Sequence, residues 1–197
     1  YSNDEENHMS YSFQNPSDEV IESYLKSAKT IAIVGLSHRK EAASYQVAHF
    51  LQAAGYRIIP VNPKLEGQEL LGEHVYAYLK DIPFSNYDEI IFISKSIGTA
   101  ISARFNEEHH INAYSIYFTP LEATFKYDLN GIAFHGTNDP WAKTNLIQCA
   151  CEKAHIPVIL YRDANHSLEC GDVLVDISNL HDIFLHVIEA IQTVYPS

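Results

Sequence analysis

Short apolar runs alternate with longer amphipathic stretches along most of the chain. Residues Ile90 to Ser94 read IIFIS, an unbroken apolar run typical of a parallel strand that is buried on both faces. Similar runs predict further strands at 30–37, 57–61, 114–118, 132–135 and 157–161. The intervening segments predict helices at 17–27, 44–54, 75–80, 99–103, 142–154 and 177–194. This alternation predicts an α/β fold, a doubly wound parallel sheet with helices on both faces.

Composition narrows the class of protein. Apolar residues make up 46% of the chain and charged residues 19%, as in a folded domain. The net charge of −12 argues against a nucleic-acid surface, and no apolar run approaches the roughly 20 residues that span a membrane. An odd number of cysteines (Cys149, Cys151 and Cys170) suits a reducing compartment, so we predict a cytoplasmic protein. The spacing of Cys149 and Cys151 is too short for the usual zinc knuckle, and no metal site is predicted.

Domain boundaries follow from the same pattern. The polar residues 1–8 precede Met9 and are interpreted as a leader or an expression remnant. We interpret residues 9–197 as a single α/β domain. In parallel sheets of this class, ligands bind at the carboxyl ends of the strands, so the loops that follow the strands are where chemistry is expected.

The loop after the IIFIS strand carries a serine. It reads Ser94-Lys95-Ser96-Ile97-Gly98, and a helical run of small residues follows. A serine on a sharp strand-to-helix turn is the nucleophile elbow of hydrolases, usually G-x-S-x-G, and here a serine replaces the first glycine. By itself, the motif favours a strand-to-helix turn without chemistry over a nucleophile elbow.

Residues 87–194 resemble the small α/β-hydrolases through three fragments in that family's chain order. KSIG contains Ser96, FHGTNDPWA contains Asp139 and ANHSLE contains His166. The resemblance implies a Ser-His-Asp triad that hydrolyses a small ester or thioester, as a carboxylic-ester hydrolase, without a cofactor. Glu122 is an alternative acid, because some hydrolases take their carboxylate from the preceding strand.

The same resemblance implies an oxyanion hole made of backbone N–H groups. Ile97 follows the nucleophile and supplies one donor. The family normally offers a His-Gly loop after an early strand, whereas this chain has Gly35-Leu36-Ser37 there. Leu36 and Ser37 are therefore the predicted second donors.

Residues 17–83 resemble a different family, the small CoA-binding, Rossmann-like domains. The fragments that carry this likeness are AKTIAIVGLS, SYQVAHFLQAAGYRIIPVNPK and ELLGEHVYAYLKDIP. The resemblance implies that CoA is a possible ligand. The residues implied to face the nucleotide are Gly35, Ser37, Ser44, Asn62 and Pro63. A glycine loop beside a helix N-terminus is a plausible pyrophosphate site, although one glycine falls short of a dinucleotide fingerprint.

Two resemblances in one chain leave three interpretations open. The protein is a serine hydrolase, a non-catalytic CoA-binding module, or a recombined or engineered chimera in which neither activity survives. In the chimera, a seam near residues 83–88 joins a CoA-binding-like half (9–83) to a hydrolase-like half (87–197). A natural hydrolase with an unusual first half is also consistent with the sequence. The predicted partners are a small ester or thioester and CoA, without nucleic acid or membrane.

Overall fold

The computed structural model describes residues 30–194, except for the side chain of Ala43. The helix predicted at 17–27 and the leader at 1–8 lie outside the described residues. The chain divides into two compact units, residues 1–79 and 80–197, and each is considered by itself. No helix within residues 30–194 has the length and apolarity needed to cross a membrane.

The first unit is built on one pair of parallel strands. Strand β1 (Thr30–Val34) pairs with β2 (Arg57–Val61), and helix α1 (Ala43–Ala53) connects them. The two strands and the helix were predicted within a few residues. A small core forms where Leu36, Ala48 and Ile58, all fully buried, pack together.

The helix predicted at 75–80 is wrong. Just before it, β3 (Glu69–Leu70) and β4 (Glu73–His74) form an antiparallel ribbon. Tyr76 then bridges to Val61 of β2, and a short 3-10 helix begins only at Leu79. Val75 and Ala77 are buried, whereas Tyr78 is 56% exposed. Burial thus alternates with the period of two of a strand, and pairing with the end of β2 outweighs the local helical preference of the segment.

The second unit contains a four-stranded parallel sheet flanked by helices, which confirms the predicted fold class. The strands lie in the order β5-β6-β7-β8. Their bounds are β5 Ile91–Lys95, β6 Tyr114–Phe118, β7 Gly131–Gly136 and β8 Val158–Tyr161. The helices are α2 Ile97–His109, α3 Thr144–Lys153 and α4 Val173–Val194. Short 3-10 helices occupy Pro63–Leu65, Leu79–Asp81, Phe84–Asn86 and Glu122–Lys126.

Each face of this sheet carries its own core. On one face, Tyr117 and Ala133 pack against residues of α2 and α3, such as Ala103 and Ile147. On the other face, strand residues that include Phe134 pack against α4. Successive residues of β6 and β7 therefore face opposite layers, and their unbroken apolar runs reflect burial on both sides. The prediction that the IIFIS strand is buried on both faces is wrong, because β5 lies at the edge of the sheet and leaves Ile93 65% exposed.

Helix α4 begins earlier than predicted, at Val173 rather than residue 177. Asp172 lies just before the helix, and its Oδ1 accepts hydrogen bonds from the N–H groups of Leu174 and Val175. An aspartate in this position caps a helix N-terminus. The N-terminal part of the helix is exposed, with Leu174 at 79%, so its apolar periodicity gives a poor guide to where the helix starts.

The end of β7 passes unusually close to the loop after β8. A Cβ atom placed on Gly136 would lie 2.3 Å from the Ala164 carbonyl oxygen and 2.5 Å from that of Asn165. Both are backbone atoms and cannot rotate away. Glycine at this position therefore allows the two loops that follow β7 and β8 to run side by side.

Replacing Gly136 with alanine should destabilise the protein by about 2 kcal/mol or more, because overpacking against backbone forces the loops apart. Urea denaturation measures this free energy of unfolding. Gly98→Ala is the matched control, since a Cβ at Gly98 meets nothing within 4 Å. Equal stability of the two variants would contradict the close passage of the loops.

Candidate functional site

Asp139 and His166 meet at the carboxyl edge of the parallel sheet. Asp139 lies in the turn after β7, and His166 in the loop after β8. His166 Nδ1 lies 2.7 Å from Asp139 Oδ2, a hydrogen-bonding distance. The Asp139 side chain is fully buried, and that of His166 is 20% exposed. The carboxylate is therefore placed to fix the imidazole ring, with Nε2 left for another partner.

Backbone hydrogen bonds hold the two loops together. The N–H of Asn138 donates to the Ala164 carbonyl, and the N–H of Thr137 donates to that of Tyr161, both at 2.9 Å. The Thr137 hydroxyl accepts from the N–H of Asp163 at 2.8 Å. The short separation of the carboxylate and the imidazole thus follows from the fixed spacing of β7 and β8.

A second histidine lies behind the carboxylate. His135, on β7, is fully buried, and its Nδ1 lies 3.9 Å from Asp139 Oδ2. Its Nε2 lies 3.2 Å from the Thr144 hydroxyl. Burial lowers the pKa of His135, although the Asp139 charge opposes that effect. His135 is therefore a neutral neighbour of the carboxylate near pH 7.

Ser96 adopts an uncommon backbone conformation at the turn from β5 to α2. Its φ is 55° and its ψ is −129°. For a residue other than glycine this region is sparsely populated and costs about 1–3 kcal/mol. Such strain clusters at active sites, and a strained serine between strand and helix is the arrangement that G-x-S-x-G motifs produce. The positive φ thus distinguishes this turn from an ordinary connection.

The surroundings of Ser96 explain why the variant motif is accommodated. Ser94 takes the place of the usual first glycine, and its hydroxyl accepts a hydrogen bond from that of Ser102 at 2.9 Å. This small side chain lets β5 and α2 cross closely. Ile97 is the first residue of α2, so its N–H has no acceptor within the helix and can serve an external oxygen.

The structure does not join the three predicted triad residues in one hydrogen-bonded chain. Within residues 30–194, no hydrogen bond connects the Ser96 hydroxyl to His166, and that contact stays a prediction. Asp139, rather than Glu122, is the carboxylate bonded to His166. Glu122 begins the 3-10 helix after β6 and lines a separate cleft of about 720 Å³.

Trp141 forms part of the same loop edge. Its backbone N–H donates to Asp139 Oδ1 at 2.8 Å, and the centre of its indole ring lies 5.9 Å from that of the His166 ring. The side chain is 74% exposed. The sequence alone suggests packing for a tryptophan, and it gives no signal that this ring lies in the open beside an imidazole.

The residues predicted to face CoA lie at the carboxyl ends of β1 and β2. The Ser37 N–H donates to the Ser44 hydroxyl at 3.3 Å, linking the loop to the first turn of α1. Asn62 Nδ2 donates to the Leu36 carbonyl at 3.0 Å, and Asn62 Oδ1 accepts from the N–H of Lys64 at 2.9 Å. Pro63 is exposed and begins a 3-10 helix.

The glycine of this loop has a left-handed backbone conformation and open space beside it. Gly35 has φ 79°, and nothing lies within 4 Å of where a Cβ would be. Leu36 is fully buried, whereas Ser37 is half-buried. Leu36 and Ser37 belong to the first unit, and their role as oxyanion donors stays a prediction.

Sequence reasoning passed over other residues near the two sites. Arg39 and Lys40 are exposed directly after the glycine loop, and their charge was the available signal. Thr99 and Thr124 are fully buried next to the Ser96 turn. They lie 25 residues apart and share no motif, so no local pattern could pair them.

Comparison with known proteins gives its clearest result for the first part of the chain. Residues 29–110 match a family model described as a CoA binding domain. The uncharacterized protein YneT of Bacillus subtilis is 46% identical over 69 residues, which are 35% of this chain and 50% of YneT. The chain thus spans half the length of that relative.

Two solved structures show weaker likeness. A Thermus thermophilus protein, cell-free ID.343, shares 24% identity over 84% of this chain and 99% of its own, with a TM-score of 0.37. A candidate YdeN-like hydrolase from Pectobacterium atrosepticum shares 12% identity over 85% of this chain and 98% of its own, with a TM-score of 0.47. Both scores are too low to support an argument.

The family match covers the place where the sequence predicts a seam between a CoA-binding-like half and a hydrolase-like half. It continues past residues 83–88, so it gives no support to a seam at that place or to a chimera. What the comparisons do support is a CoA-binding, Rossmann-like character for residues 29–110.

Proposed function

We propose that the CoA-binding-like part of the chain, residues 29–110, binds coenzyme A. The observation that carries this proposal is the hydrogen-bonded loop that follows β1, in which Ser37 bonds to Ser44 and Asn62 holds the Leu36 carbonyl. Open space over Gly35 lets a pyrophosphate approach the backbone, and the N-terminus of α1 favours negative charge. The family match of these residues supports the same ligand.

Local charge adds to this proposal. The chain as a whole carries a net charge of −12, which repels an anionic nucleotide. Directly after the glycine loop, however, Arg39 and Lys40 are exposed. The Arg39 N–H donates to the Ser37 hydroxyl at 3.1 Å, which ties this cationic segment to the loop. Arg39 Nε also lies 4.0 Å from the Glu41 carboxylate, so a phosphate group of CoA would compete with Glu41 for Arg39, whereas Lys40 is exposed directly beside it.

CoA should raise the melting temperature, because a ligand that binds only the native state stabilises it, by about 2.7 kcal/mol at 100 times Kd. The Arg39→Gln/Lys40→Gln double variant should bind roughly three- to tenfold more weakly, as measured by calorimetric titration. Lys126→Gln/Lys153→Gln, which changes two exposed lysines of the second unit, alters the net charge by the same amount and is the control. Melting curves that stay unchanged at millimolar CoA would remove the proposal.

A second candidate function is serine ester or thioester hydrolysis. The observation that favours it is the strained φ of 55° at Ser96, together with the 2.7 Å contact between Asp139 and His166. Strain at a serine and a buried carboxylate on a histidine are both devices of hydrolase sites. They stand on strand ends of one parallel sheet, where such sites form.

The proposed reaction has two halves. Ser96 Oγ attacks the acyl carbon while His166 Nε2 takes the hydroxyl proton, and Asp139 stabilises the imidazolium. The N–H of Ile97 receives the oxyanion. His166 then gives the proton to the leaving alcohol or thiol. That group departs, and the acyl group stays bound to Ser96 Oγ. Water then attacks the acyl carbon while His166 takes one of its protons. His166 passes that proton to Ser96 Oγ as the bond between Oγ and the acyl carbon breaks, and the carboxylic acid departs.

Ser96→Ala should abolish nearly all turnover of a small activated ester, because the nucleophile is lost. His166→Ala and the double variant should fall to a similar floor, since residues that act as a unit are not additive. Ser167→Ala, an exposed serine next to the histidine, is the matched control and should keep its activity. Turnover that survives Ser96→Ala would rule out this mechanism and indicate nonspecific surface hydrolysis.

A further inference from the structure

Two buried threonines contact the strained turn at Ser96. Thr99, in the first turn of α2, places its hydroxyl 2.6 Å from the Ser96 carbonyl oxygen. The Thr99 N–H donates to the same oxygen at 3.0 Å. Thr124, in the 3-10 helix after β6, places its hydroxyl 2.6 Å from that of Thr99. Both threonines are fully buried, so this arrangement is shielded from water.

The direction of these hydrogen bonds follows from valence. A carbonyl oxygen only accepts, so the single hydroxyl proton of Thr99 points to Ser96. Thr124 must then donate its proton to Thr99 Oγ1. The result is a one-way chain from Thr124 through Thr99 to the Ser96 carbonyl, with both hydroxyl protons committed. Burial makes each bond costly to lose, because an unpaired buried hydroxyl costs about 1–3 kcal/mol.

The carbonyl of Ser96 and the N–H of Ile97 belong to one planar peptide group and point in opposite directions. A restraint on the carbonyl therefore fixes the direction of the N–H. The unusual ψ of −129° at Ser96 sets the plane of this peptide. Two donors on one carbonyl, at 2.6 and 3.0 Å, oppose its relaxation to a commoner conformation.

We propose that Thr99 is a positioning residue for the oxyanion donor Ile97, and that Thr124 supports it. The inference rests on the proposed hydrolase function, because it assigns a role within that site. Thr99 touches neither the acyl group nor His166 in this role. It acts through the peptide between Ser96 and Ile97, whose N–H must face the position of the developing oxyanion.

The kinetic test is Thr99→Val, which keeps the shape of the side chain and removes the donor. Loss of an oxyanion donor costs on the order of 100- to 1000-fold in rate. A donor that is present but misdirected should lower the rate less than this, by at least tenfold. The loss should fall on kcat with KM little changed, since the interaction exists only in the transition state. Thr99→Ser retains the hydroxyl and should restore the rate to within about threefold.

Thr124→Val is the matched control. It places the same valine in the same buried region but leaves the bond from Thr99 to Ser96 intact. Its rate should fall less than that of Thr99→Val. Equal losses in the two variants would show that any polar-to-apolar change there acts by general destabilisation, which would overturn the proposal.

A readout that needs no turnover separates this inference from the hydrolase proposal. The amide resonances of Ile97 should shift in Thr99→Val, shift less in Thr124→Val, and return in Thr99→Ser. This pattern in a protein without esterase activity would support the positioning role while the hydrolase proposal fails. Unchanged Ile97 resonances in a folded Thr99→Val would overturn the positioning role. If Thr99→Val does not fold, Thr99→Ala removes the same donor, and an unshifted Ile97 amide in a folded Thr99→Ala decides against the positioning role.

Discussion

The distance between two adjacent strand ends governs what the second unit can do. Strands β7 and β8 are hydrogen-bonded neighbours in a parallel sheet, so the loops that leave them start side by side. Gly136 lets those loops approach within a distance that any larger residue would prevent. Asp139 and His166, 27 residues apart in sequence, consequently meet at 2.7 Å. The spacing of the two neighbouring strands therefore sets most of the distance between the carboxylate and the imidazole.

Hydrophobic pattern predicts the central strands best, because β6 and β7 are buried on both faces of the sheet. The unbroken run IIFIS also forms a parallel strand, although Ile93 within it is 65% exposed. The pattern fails at 75–80, where Val75 and Ala77 are buried through pairing with the end of β2. That pairing partner lies more than ten residues away, and local propensity carries no information about it. The start of α4 is mispredicted for the opposite reason. Its signal, the capping residue Asp172, is local, but the apolar periodicity that predicts the helix begins only at residue 177.

The resemblance to the small α/β-hydrolases, carried by three fragments that each follow a predicted strand, singles out Ser96, Asp139 and His166 as candidates. Topology then explains the contact between the acid and the histidine, whereas the reach of Ser96 to His166 stays a prediction. The threonine chain could not be found in the sequence, because Thr99 and Thr124 become neighbours only when the helix after β5 packs on the segment after β6. Buried polar contacts of this kind depend on packing of distant segments, which hydrophobic periodicity does not encode.

The exposed indole ring of Trp141 beside His166 gives the protein a useful fluorescence property. Trp141 is the single tryptophan of the chain, and 74% of it faces solvent within 5.9 Å of the imidazole centre. Indole emission depends on polarity and on nearby groups that quench it. Excitation at wavelengths too long for tyrosine to absorb therefore gives fluorescence from Trp141 alone, without an added label. The protein contains its own optical reporter of whatever occupies the space around the Asp139–His166 pair.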